Sequence, residues 1–292
     1  MLILQILVNG VLLGGMYILL AQGLNLVFGV MGVVNLAHGA IITVAGLFTF
    51  WFASRTGLTP LLLLPVVFVA MLGIGAVLQR FLLEPLTGAG RRAELLTLMI
   101  TFGLSYVLVE IGLDVFGSQY VSLPDLQTTW SVGGLTINEA LVVSGGLGAA
   151  ISGLLQLWLQ HTGSGKSLLA TSQNRIGAIA CGIDVSRMRR IAFALGASLA
   201  ATAGVLLIMV MPLAAQSADS LTVLAFVVVA MGGLGNYAGA AVAALLLGIA
   251  QSAVGYYVGG DAESVVPYAL FILFMIWRPQ GLGRAVHAAA TP

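Results

Sequence analysis

The first ionised side chain after the N-terminal amine is Arg55, so residues 1–54 form an unbroken charge-free run. Further charge-free runs cover 56–79, 140–165, 191–218, 220–260 and 264–277. A helix that spans a bilayer needs roughly 20 mostly apolar residues, and several of these runs supply that length. Charged residues make up 7% of the 292, against about 25% in ordinary soluble domains, so a water-soluble surface is excluded.

Lipid offers nothing to backbone N–H and C=O groups, which leaves helices or a closed barrel as spanning structures. A barrel would show short alternating segments, whereas these runs are long and continuous. The chain therefore reads as an all-α polytopic integral membrane protein with about eight or nine transmembrane or re-entrant helices. Segments are expected at about 4–28, 39–53, 60–79, 94–116, 139–160, 191–212, 221–235, 238–258 and 265–277, some too short to cross alone. The apolar start lacks a basic region and is followed by many spans, so it reads as mature structure instead of a cleaved signal.

Charge placement sets the orientation. With the connection after the third segment placed inside, Arg80, Arg91, Arg92, Lys166, Arg175, Arg187, Arg189, Arg190, Arg278 and Arg284 all face the cytoplasm. Asp114, Asp125, Glu139, Asp219, Asp261 and Glu263 then fall outside, and Arg55 is the single outer cation. This matches the positive-inside rule and predicts an outer N-terminus and a cytoplasmic C-terminus. The longest connections, 117–138 outside and 161–190 inside, are too short to fold alone, so residues 1–292 read as one membrane domain. The outer one, with Pro124 and Trp130, reads as an interfacial loop or a docking surface for an outer partner.

Little suggests other chemistry. Cys181 is the only cysteine, and the formal net charge of +1 gives no reason to expect nucleic acid. No cofactor and no metal site are expected, and neither HExxH nor GxSxG occurs. Gly165-Lys166-Ser167 lacks the phosphate-loop glycine five residues before Gly165, where Gln160 stands.

Two stretches interrupt the apolar pattern: Gly29 to Ala40 and Met231 to Ala240. Both combine clustered glycines with an asparagine followed by Gly-Ala, the composition of unwound or re-entrant chain. Asn35 and Asn236 are candidate N-caps of the helices that follow. Paired broken segments point to a transport site, because freed backbone dipoles can face a polar solute. Asn35, His38, Gly39, Gly232, Gly233, Gly235 and Asn236 are thus the candidate substrate-pathway residues, with close small-residue packing the alternative reading. A lone His such as His38 is more often a hydrogen-bonded support for a bend than a proton carrier.

The inner connection carries a short amphipathic stretch, Ser167 to Ala180, expected as one helix closed by Gly182, with Ser186 capping the next. It would lie on the membrane surface or seat in a groove of a soluble partner.

Four blocks, GLNLVFGVMGVVNLAHGA (Gly23 to Ala40), NRIGAIACGIDVSRMRRIAFALGASLAATAGVL (Asn174 to Leu206), AFVVVAMGGLGNYAGAAVAALLLG (Ala225 to Gly248) and RPQGL (Arg278 to Leu282), resemble the branched-chain amino acid permease family of ABC importers. Ala40 departs from that pattern, standing where relatives often carry an acidic residue. The resemblance implies a non-catalytic subunit in a cell inner membrane. It implies pairing with a second homologous permease, two cytoplasmic ATP-binding subunits and an extracytoplasmic solute-binding protein. It also implies that Asn174, Arg175, Ala178, Gly182, Ile183 and Asp184 form the segment touching an ATPase. The implied solute is a branched-chain amino acid; urea or short amides, and an ion-coupled secondary transporter, are the alternatives.

Overall fold

The computed structural model describes residues 1–86, 91–123, 126 and 128–282. Pro124, Asp125 and Arg284, used above for the loop and the charge bias, lie outside the described residues. The chain runs α1 (Leu2–Met31), α2 (His38–Thr56) and α3 (Pro60–Leu78), the last prolonged by a π turn at Gln79–Leu83 and a 3-10 turn at Glu84–Leu86. After α4 (Arg91–Phe116) come strands β1 (Thr129–Val132) and β2 (Leu135–Asn138), then α5 (Glu139–His161), α6 (Gly163–Gln173) and α7 (Arg175–Ala180). The remainder is α8 (Val185–Val210), α9 (Ser217–Gly232), α10 (Tyr237–Tyr257), α11 (Gly260–Glu263) and α12 (Val266–Trp277).

Among the described residues eight helices are long and apolar enough to cross a membrane, with α11 and α12 counted as one unit. The remaining expected segment, 221–235, corresponds to α9, which at 16 residues is shorter. The protein is thus a multi-pass, helical membrane protein, as its hydropathy requires. One element was not expected: within the 117–138 connection, β1 and β2 pair antiparallel. Gly133 and Gly134 sit at its tip with φ of 59° and 83°, the consecutive positive values of a two-residue hairpin turn.

Helix association in lipid depends on close packing, because the bilayer is as apolar as the side chains themselves. The most buried helix, α8, accordingly has the sequence AFALGASLAATAG along its middle, mostly small residues. A Cβ added at Gly196 would stand 2.8 Å from Gly23 O, and one at Gly204 would collide with Ile42 O, so α1 and α2 both press on α8 through backbone. Helix α1 also crosses α10 in the same manner: a Cβ at Gly10 would lie 2.5 Å from Ile249 Cα, and one at Gly14 2.8 Å from Leu245 Cα. Around this core, α3, α4 and α12 turn large apolar side chains such as Val66, Met99 and Ile276 outward.

Candidate functional site

Helix α1 ends at Gly32, whose left-handed φ of 72° lets its N–H reach Phe28 O and turns the chain back. His38 then packs its ring against α1, with Nε2 2.8 Å from Leu20 O. Leu20 lies eleven residues before Met31, about 16 Å along the axis at 1.5 Å per residue. Gly32 to Ala37 therefore climb back beside α1 as non-helical chain, bending at Gly32 and Val33 and turning at Leu36 and Ala37, and α2 starts inside the protein.

Non-helical backbone at such depth persists only where its polar groups are satisfied by protein. Asn35 Oδ1 accepts from Ala37 N at 3.1 Å, closing a local turn. The Thr101 hydroxyl of α4 accepts from Leu36 N at 3.3 Å. The Thr222 hydroxyl of α9 accepts from Gly39 N at 2.9 Å and donates to Ala218 O at 3.0 Å. Asn35 is consequently a turn residue and not the N-cap expected from sequence; Ala37 holds the cap position without a side-chain bond. His38 is fully buried, and because a carbonyl can only accept, its Nε2 carries a hydrogen toward Leu20 O while Nδ1 has no partner.

Gly39 is where two broken helices meet. A Cβ there would collide with Ala218 O and with the Thr222 hydroxyl, so the first turns of α2 and α9 lie in direct backbone contact. The second interruption deep in the bundle is therefore the start of α9. The glycine-rich stretch expected to form it lies elsewhere, at the junction of α9 and α10, at another depth along α1. Gly232 and Gly233 end α9, Gly235 N donates to Asn25 Oδ1 at 2.8 Å, and Gly235 approaches Gly29. Asn236 does cap α10, accepting from Gly239 N at 3.1 Å. The RPQGL segment folds onto this junction, with Leu282 N donating to Met231 O at 2.9 Å.

Thr101, Thr222 and Asn25 were not singled out from sequence. Each is a hydroxyl or amide in an apolar helix, which signals a local need for hydrogen bonding but not the partner. Other buried polar atoms nearby have no partner at all: Gln22 Oε1, Asn25 Nδ2 and Thr43 Oγ1. Among the described residues no three His, Cys, Asp or Glu side chains gather as a metal site.

The inner connection folds as two helices, not one. Asn174 interrupts the expected Ser167 to Ala180 helix, closing α6 and turning its side chain to accept from Gly177 N at 2.8 Å at the start of α7. Gly165, Lys166 and Ser167 lie within α6, capped by Thr162 and not arranged as a loop. Gly182, with φ of 77°, donates to Ile179 O, and Ile183 N donates to Ala178 O at 3.0 Å. Asp184, not Ser186, caps α8 through Arg187 N at 3.0 Å. Arg175 and Asp184 thus flank a short, hydrogen-bonded knuckle. Ala178 is buried beneath it, while Ile176 and Ile179 are 81% and 56% exposed. Six of the candidate coupling residues are held together; the two exposed isoleucines were outside that set.

Residues 6–275 match the family model described as branched-chain amino acid transport system, permease component. The chain belongs to this family. It is 29% identical over 302 residues to the high-affinity branched-chain amino acid transport system permease protein LivH of Escherichia coli K12, covering 96% of each chain. The permease protein BraD of Pseudomonas aeruginosa is 27% identical over 297 residues with the same coverage. In fold, this permease is similar to a chain of PsaBC from Streptococcus pneumoniae in complex with Fab. The TM-score is 0.50 at 15% identity over 93% of this chain and 91% of that one.

Proposed function

We propose that this permease is one transmembrane half of an ATP-driven importer of branched-chain amino acids in a cell inner membrane. A second homologous permease, two cytoplasmic ATP-binding subunits and an extracytoplasmic solute-binding protein complete the assembly. Residues 1–292 act as one domain, with the N-terminus outside and the C-terminus inside. The observation that carries the reading is the knuckle at α7, set at the arginine-rich end of a chain matched by the family almost from end to end. Two bare isoleucines on a capped, glycine-terminated helix suit a groove in a soluble partner.

The mechanism follows from how α7 is attached. Its link to α8 is four residues long, Cys181 to Asp184, and hydrogen-bonded at both ends, so a push on α7 moves α8 with little slack. Helix α8 in turn packs backbone to backbone against α1 and α2, on either side of the Asn35 break. ATP-driven closure of the partners shifts α8 against these helices and alternates access to a central path. Asn35, His38 and Gly39 border that path where α2 and α9 begin, and Gly232, Gly233, Gly235 and Asn236 border its inner end. Buried polar atoms left without partners, such as His38 Nδ1 and Thr43 Oγ1, support a second arrangement in which they are satisfied.

Uptake of labelled leucine into vesicles holding the complete complex tests this. Uptake is expected to need ATP and the binding protein, to resist competition by urea, and to vanish for this chain alone. Leucine entry driven by an ion gradient through the isolated chain would overturn it.

A further inference from the structure

At the end of the bundle that carries the N-terminus, a cavity of about 550 Å³ opens between α1, the ends of α8 and α10, the start of α9, and α11. A second, of about 380 Å³, adjoins it, and Glu263 lines both. These sizes fall within the range of small-molecule sites. Glu263 bears the only charged side chain on either lining, and among the described residues it forms no ion pair. Its carboxylate fits because residue 255 is glycine: a Cβ there would sit 3.0 Å from Glu263 Oε2.

A second observation is independent of that charge. Gln251, only 6% exposed, lines the larger cavity; its Nε2 points to Glu263 O at 3.4 Å, and its Oε1 accepts no hydrogen bond. The Tyr17 hydroxyl lies against the Gln251 side chain. A buried acceptor without a donor is costly, so a ligand with N–H groups gains by completing it. An ammonium group offers three donors and a positive charge, which matches the Glu263 carboxylate, Gln251 Oε1 and the Tyr17 oxygen. Leu221 and Leu224 line the same cavity and suit an aliphatic tail.

We propose that Glu263, Gln251 and Tyr17 form an ammonium-binding station for small aliphatic amines and amino acids at the outer mouth of the permease. This deepens the importer reading and rests on its orientation: the station receives solute by its ammonium before the solute reaches the broken helices. Ser220, exposed on the cavity rim, serves as a reporter.

The test uses the complete purified complex carrying Cys181→Ser and Ser220→Cys, labelled with N-ethylmaleimide in the presence of three probes. L-Leucine and isoamylamine, which bear an ammonium, are expected to slow labelling several-fold. Isocaproate, which has the carboxylate and tail without the amine, is expected to leave it unchanged. Glu263→Gln should abolish the amine protection, Glu263→Asp should retain part of it, and Gln251→Leu should weaken it if Glu263→Gln fails to assemble. Equal protection by isocaproate, no protection by any probe, or full protection in both Glu263→Gln and Gln251→Leu would overturn the station. Failure of leucine uptake by the wild-type complex would instead strike the importer reading, since labelling reports binding without transport.

Discussion

Replacing Thr222 by valine keeps the shape of the side chain and removes the hydroxyl that holds Gly39 N at 2.9 Å. Gly39 lies in the first turn of α2, where a helix N–H has no partner of its own. The position is sealed from water, so the lost bond is not replaced by solvent. Leaving that buried donor unpaired costs about 1–3 kcal/mol. The Ala218 carbonyl suffers less, because the backbone N–H of its own helix still serves it. Thr222→Ser keeps the hydroxyl and loses one methyl group, about 0.8 kcal/mol. Hydrogen–deuterium exchange of the peptide spanning residues 35–41, in the assembled complex, reads the local opening directly. Thr222→Val should accelerate exchange there by roughly 5- to 150-fold, with Thr222→Ser close to wild type. If the two variants exchange alike, the hydroxyl does not hold the start of α2 and the account of the Asn35 break is wrong.

Other substitutions probe separate contacts. Asn174→Ala removes the α7 cap and should destabilise that helix by about 1 kcal/mol, seen as faster exchange in residues 175–181 and weaker retention of the ATPase subunits on copurification. Gly248→Leu drives a side chain into the backbone of Gly10 and Gly14, so the α1–α10 contact should fail and the purified protein should lose its monodisperse elution peak. Asn25→Leu leaves Gly235 N without its acceptor and should cost about 1–3 kcal/mol in a thermal or detergent unfolding titration of the complex.

The bundle was legible because lipid makes the rules strict. Long charge-free runs have no other stable form, and the helices fall where those runs do. The Asn35 break was legible too, since glycine and asparagine cluster there inside an apolar stretch. Its partner was not: α9 begins after Met211 to Gln216, a segment that reads as an ordinary connection, and only the packing of Gly39 against Ala218 shows it is deep. Met231 to Ala240 carried a stronger glycine signal yet forms a compact junction, because glycine marks close approach and unwinding alike. The hydroxyls of Thr101 and Thr222 needed the tertiary structure, since a side chain names its chemistry but not its partner. At α7 the missed division at Asn174 has a local cause: an asparagine that closes one helix can cap the next without any glycine or proline.

The central claim is that α7 delivers the work of a soluble ATPase to the core. It is tested most directly by placing a single cysteine at Ile176, in a Cys181→Ser background, and crosslinking it within the complete complex. A crosslink to the ATP-binding subunit whose yield changes on adding nucleotide is the predicted result. An Ile176 position that crosslinks to no partner, in a complex that still imports leucine after Ile176→Lys and Ile179→Lys, would contradict it.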